Sequence, residues 1–146
     1  MLLLTEEKMD IRDARQLNPL QMAYIGDAVW EIFVRQKLAM QKLNVHHMHL
    51  ECVKLVNAKA QATAMRRICD MLTEEEAFIA QRGRNAHARH PAPKNQAVSD
   101  YTEATAFEAL SGFLYLTDQA ERLREIFLCA FSDGELASTE NSQAAI

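Results

Sequence analysis

Residues 16–34 read QLNPLQMAYIGDAVWEIFV, and Asp27 and Glu31 are the only charged side chains between Arg15 and Arg35. Asn18 can cap a helix, and Pro19 suits its first position because proline lacks an N–H that the first turn would leave unpaired. Met22, Ile25, Val29, Ile32 and Phe33 recur at helical spacing, while Leu20, Ala23, Tyr24 and Val34 share the side that carries Asp27 and Glu31. A helix this apolar around its circumference is predicted to be mostly buried. A carboxylate taken out of water inside it is costly unless it is paired or bound to a cation.

A second stretch repeats the design. From Ala104 to Thr117, Glu108 is the single charge, set among Phe107, Leu110, Phe113, Leu114 and Leu116. Neither stretch supplies a Lys or Arg near its acid. A hard divalent cation, which prefers oxygen ligands, would compensate Asp27 and Glu108. Exposure to solvent, or hydrogen bonds to neighbouring Tyr, Thr or backbone groups, would also do so. Gly26 adjoins Asp27, and Gly112 lies one turn after Glu108. Glycine inside a helix costs about 1 kcal/mol relative to Ala, which close helix packing or close approach of a ligand would justify. Glu31 lies four residues after Asp27, so both project from one face. It either stands behind Asp27 or pairs with Arg35, and the pairing is the preferred reading.

Working outward, the chain reads as five helices and no strand. They cover about 17–40, about 49–71, Thr73 to about Gly83, about Ser99 to Leu116, and about 118–131. Thr73-Glu74-Glu75-Glu76 has the form of a capping box. Residues 84–98 hold Pro91 and Pro93 and read as a loop. Residues 1–16 form an N-terminal extension, 17–131 one domain, and 132–146 a small, polar tail predicted to be disordered. With 146 residues, 49% hydrophobic and 25% charged, the chain is no disordered segment, collagen-like repeat or rod. No run reaches the roughly 18 apolar residues of a membrane span, and Met1–Leu4 is too short for a signal peptide. Cys52, Cys69 and Cys129 form no CxxC, so a disulfide framework or zinc site is not expected, and a reducing cytoplasm is. His46, His47 and His49 lack a supporting ligand set and read as surface residues.

Formal charge is −4 overall but unevenly spread. Residues 1–31 hold six acids against three bases, residues 32–99 five against eleven, and residues 100–146 nine against two. Cys52–Cys69 carries Lys54, Lys59, Arg66 and Arg67 without an acid, and Ala77–Ser99 carries Arg82, Arg84, Arg89 and Lys94 with His87 and His90. Such stretches suit an anionic partner such as a nucleic-acid backbone. Solvated surface is the alternative.

Ala23-Tyr24-Ile25-Gly26-Asp27-Ala28-Val29 resembles the signature helix of ribonuclease III endonuclease domains. Thr105-Ala106-Phe107-Glu108-Ala109-Leu110 through Tyr115-Leu116 resembles their second acidic helix. Ala58-Lys59-Ala60-Gln61-Ala62, Arg82-Gly83-Arg84-Asn85-Ala86 and Pro93-Lys94-Asn95 look most like the Mini-ribonuclease III branch, which lacks the double-stranded-RNA-binding domain. The likeness spans about Leu17 to Phe131. Ala23 and Thr105 stand where the larger ribonuclease III pattern has acids, as they do in the Mini branch.

The resemblance implies an all-α helical bundle that forms a homodimer and cleaves double-stranded or structured RNA. It implies 5′-phosphate and 3′-hydroxyl products, with precursor large-subunit (23S) ribosomal RNA as substrate. Asp27 and Glu108 would be the catalytic Mg2+ ligands. Lys54, Lys59, Arg82, Arg84, Arg89 and Lys94 would bind RNA phosphates, with Glu31 and Asn85 as candidate supports behind the ligands. Phe33, Trp30 and Leu20 are the candidates for apolar surface in excess of one small core. The rival readings are a non-catalytic double-stranded-RNA-binding dimer and an all-α metal-dependent nucleotide hydrolase. Retention of both acids argues against the first, and the scarcity of carboxylates against the second.

Overall fold

The computed structural model describes residues 4–86 and 97–131. Its helices are α1 (Ile11–Gln16), α2 (Pro19–Met40), α3 (Val45–Val56), α4 (Ala58–Ile68), α5 (Glu74–Asn85), α6 (Val98–Leu116) and α7 (Ala120–Ala130). A short 3-10 turn, Cys69–Met71, follows α4, and no strand occurs among the described residues. Of the loop expected at 84–98, residues 87–96 lie outside the described residues, while Arg84 and Asn85 extend α5 and Val98 begins α6; the expected tail at 132–146 also lies outside the described residues.

Helix α6 is the centre of the bundle, packed against α2, α4, α5 and α7. Every residue from Ala104 to Leu114 is buried except Glu108, which is partly so. The expectation of an apolar helix buried nearly all round therefore holds for α6. It does not hold for α2, which buries one stripe: Met22, Gly26, Trp30, Val34 and Leu38, at every fourth position, with Ala23 beside it. Ile32 is 65% exposed and Tyr24 81%. The buried face of α2 is set by where its backbone can approach α6 most closely, which is the glycine face and not the Ile25–Ile32 face.

Trp30 corrects the expected excess surface. Its ring sits in the core with its centroid 5.0 Å from those of Phe107 and Phe127 and 5.4 Å from that of Phe33. Its indole N–H donates to the Leu55 carbonyl at 3.0 Å, so the polar end is satisfied. Phe33 and Leu20 remain partly exposed.

Local signals set most boundaries. The Asn18 side chain accepts from the Leu20 N–H, with Pro19 at the first helical position. Thr73 and Glu76 close the capping box in both directions. The single helix expected over 49–71 is two. Asn57 is extended, with φ −76° and ψ 165°, and serves both. Its side-chain nitrogen donates to the Val53 and Lys54 carbonyls that end α3, and its side-chain oxygen accepts from the Ala60 N–H that begins α4. Within the stretch read as an extension, α1 adds fully buried Ala14 to the core, and the Met9 N–H donates to the Leu116 carbonyl at 2.8 Å.

Candidate active site

Helices α2 and α6 meet backbone to backbone. A Cβ on Gly26 would lie 1.7 Å from the Glu108 carbonyl oxygen, and one on Gly112 would lie 1.9 Å from that of Met22. No side chain larger than hydrogen fits at either crossing point. This contact brings the acids together: Asp27 follows Gly26 in α2, and Glu108 is the residue Gly26 touches in α6. A pocket of about 250 Å³ opens there, lined by Leu20, Ala23, Tyr24 and Asp27 from α2 and by Tyr101, Thr105 and Glu108 from α6. The lining recurs at helical spacing on both elements, so each contributes one face.

Two carboxyl groups share this pocket, and no Lys or Arg lines it. Burial, then the charge of Asp27, pushes the Glu108 carboxyl up to about 8. Burial, then Glu31, raises Asp27 as well. Among the described residues neither acid forms an ion pair. The opposing influence on both is the side-chain amide of Gln61, from α4.

Ala23 and Thr105 lie on this pocket, and the Thr105 hydroxyl donates to the Tyr101 carbonyl at 2.9 Å. Glu31 pairs with Arg35 at 2.8 Å, the preferred of its two readings, while its charge is still felt at Asp27. Asn85 accepts from the Gln81 amide at 3.0 Å, along α5.

The basic candidates are differently placed. Lys59 is exposed on the first turn of α4. Lys54 pairs with Glu51 at 3.1 Å, and the Arg82 guanidinium donates to the Arg15 carbonyl. Arg84 grips both carboxylate oxygens of Glu103, at 2.7 and 3.2 Å, joining α5 to α6. Arg89 and Lys94 lie outside the described residues.

Tyr24 was placed on the acid-bearing side of its helix without a role, and Gln61 and Tyr101 were not singled out by sequence reasoning. The signal for Tyr101 was available, since Tyr101, Thr105 and Glu108 share one helical face. For Gln61 it was a polar residue heading the core stripe Gln61, Met65, Ile68.

The ribonuclease III domain model matches residues 20–119. The chain is 49% identical over 111 residues to the Mini-ribonuclease 3 of a Thermoanaerobacter species, covering 75% of this chain and 78% of the relative. It is 42% identical over 123 residues to that of Symbiobacterium thermophilum, covering 84% and 94%. A Fusobacterium nucleatum protein solved by X-ray crystallography superposes with a TM-score of 0.72 at 32% identity, covering 79% of this chain and 92% of that one. With Asp27 and Glu108 brought together at the crossing of the two helices that resemble the family's acidic pair, the chain belongs to the Mini-ribonuclease 3 group of ribonuclease III-domain endoribonucleases.

Proposed function

We propose that this endoribonuclease cleaves double-stranded or structured RNA in a Mg2+-dependent hydrolysis, with Asp27 and Glu108 as the metal ligands. The carrying observation is the Gly26–Gly112 crossing, which sets two carboxylates at one pocket without a compensating base. The residues present fit a hard divalent cation. The charged donors are carboxylate oxygens, and the rise of Glu108 to about 8 reflects a charge that a nearby cation would stabilise. A bound cation would lower the pKa of the attacking water and neutralise charge on the leaving oxygen. Among the described residues no third His, Cys, Asp or Glu joins the two acids. Water and an RNA phosphate oxygen would complete the coordination. Asp27 is exposed and Glu108 partly buried, so RNA would approach from the Asp27 side, with Glu108 at the floor.

Lys54, Lys59, Arg82, Arg84, Arg89 and Lys94 are proposed to contact phosphates, which carry affinity and not sequence preference. Arg84 must leave Glu103 to do so, and its share is accordingly the smallest. A homodimer would cover the apolar face of α2 around Tyr24, Ile25, Ala28 and Ile32, together with Leu20, and present two active sites to one duplex. The bounds 17–131 are proposed for the catalytic domain, cytoplasm for its location, and precursor 23S ribosomal RNA for its substrate. No helix among the described residues is long and apolar enough to cross a membrane.

The test is an end-labelled RNA hairpin incubated with Mg2+. The proposal expects internal cleavage leaving 5′-phosphate ends, and none in EDTA. Binding without cleavage would favour the non-catalytic dimer, and turnover of free nucleotides with the hairpin left intact would favour a nucleotide hydrolase.

A further inference from the structure

Gln61 is 2% exposed, and its amide nitrogen makes no hydrogen bond. An unpaired buried donor is destabilising, so an apolar side chain at the head of the stripe formed with Met65 and Ile68 would give a more stable fold. Helix α4 packs directly on α6. The side-chain amide of Gln61 is the group that favours charge on both Asp27 and Glu108, and its buried nitrogen is held at ordinary hydrogen-bond geometry by no acceptor. A primary amide carries two N–H groups, one for each carboxylate. Each carboxylate has two oxygens, one to turn toward a cation and one to turn away.

We infer that Gln61 is a positioning residue: its two N–H groups hold the outer oxygens of Asp27 and Glu108, so that the inner oxygens converge on the divalent cation. The inference rests on the reading of Asp27 and Glu108 as metal ligands. It assigns Gln61 no contact with RNA or with the reacting atoms. The unpaired donor is then a stability cost retained for metal affinity. Partners that orient metal ligands in this way commonly change affinity by about 10–100-fold when removed.

The experiment uses the full chain without RNA and titrates it with Mn2+, following the free ion by electron paramagnetic resonance. Gln61→Met, close in shape and without a donor, is expected to bind Mn2+ about tenfold or more weakly than wild type. In EDTA it should unfold at the same or a higher urea concentration. Wild-type Mn2+ affinity in Gln61→Met would overturn the inference, whatever its stability. Asp27→Asn separates this from the underlying reading. If wild type binds no Mn2+, or Asp27→Asn binds it as well as wild type, the metal reading fails and the inference falls with it. Should Gln61→Met not fold, the side-chain amide signals of Gln61 in the wild-type protein decide by NMR. They are expected to shift on titration with diamagnetic Mg2+, and signals unmoved at saturation would overturn the inference.

Discussion

Gly26→Ala adds one methyl group where two helix backbones touch. In isolation the change favours the helix by about 1 kcal/mol. In the fold the new Cβ would sit 1.7 Å from the Glu108 carbonyl oxygen, 2.6 Å from its carbon and 2.8 Å from the Gly112 nitrogen, and Cβ contacts shorter than 3.0 Å essentially never occur. All three atoms are backbone, so no rotamer can relieve the contact. Going from 1.7 to 3.0 Å requires α2 and α6 to part by at least 1.3 Å. Overpacking a core with flexible side chains costs about 1–3 kcal/mol. A backbone clash belongs at the upper end of that range or beyond, leaving a net loss of about 2 kcal/mol or more once the helix gain is subtracted. The separation falls on the segment that carries Asp27 and Glu108. A misplacement of about 1 Å in catalytic groups costs on the order of 100-fold in rate. Urea unfolding in EDTA, with single-turnover hairpin cleavage at saturating Mg2+, measures both effects at one protein concentration. The expected result is a destabilised protein that cleaves at least about 100-fold more slowly. A Gly26→Ala protein that is more stable than wild type and cleaves at the wild-type rate would refute the argument that this crossing builds the site.

Three further expectations follow from the same geometry. Glu108→Gln should stabilise the metal-free protein. With a folded pKa of about 8 against an ordinary 4.5, the native state holds a proton that the unfolded chain releases, so wild-type stability falls as pH rises from about 4.5 to 8. The advantage of the variant should grow over that window, reaching up to about 3 kcal/mol at pH 7, and urea midpoints in EDTA that show no pH-dependent advantage would contradict it. Glu76→Gln should act in the opposite pH range. Burial works against the Glu76 charge, but bonds from Arg122 and Thr73 prevail and hold its carboxyl below 4.5. Its contribution is therefore present above about pH 4.5 and lost as pH falls through the lower folded value. Breaking the pair should cost about 3 kcal/mol at pH 7, the low end for buried pairs because Arg122 stays 23% exposed, and the cost should shrink on acidification. Lys59→Ala should reduce the slope of log RNA affinity against log salt by roughly 0.7–0.9, whereas Arg84→Ala should change the slope less and cost about 1 kcal/mol of stability through Glu103. Equal slopes for both variants would remove the distinction between them.

The helical class was legible because apolar periodicity, Asn18-Pro19 and the Thr73–Glu76 box each report a local interaction. The Asn57 break was not, because one residue that caps two helices leaves the apolar pattern continuous across it. Glu108 could be picked out as the lone charge on its apolar segment, and Asp27 as one of two on its own. Which face of α2 is buried could not, because apolar residues lie on both faces and the choice is made by Gly26 meeting the backbone of α6. Trp30 illustrates the same limit, since its place depends on Phe107 and Phe127, which are far away in sequence. Arg84 looked like a free base within an acid-poor run. Its carboxylate partner, Glu103, lies nineteen residues on in another helix. Gln61 stood in a quoted motif without a role, because an amide becomes informative only when its burial and its missing partner are seen.

The most direct test of the central claim, that the crossing of α2 and α6 makes a metal site of Asp27 and Glu108, is an anomalous difference map from crystals of the protein grown with Mn2+. The account predicts a peak shared by the two carboxylates at ordinary metal–oxygen distance, about 2.1 Å for the magnesium it replaces. A fully occupied Mn2+ elsewhere on the chain, with both carboxylates unligated, would contradict it.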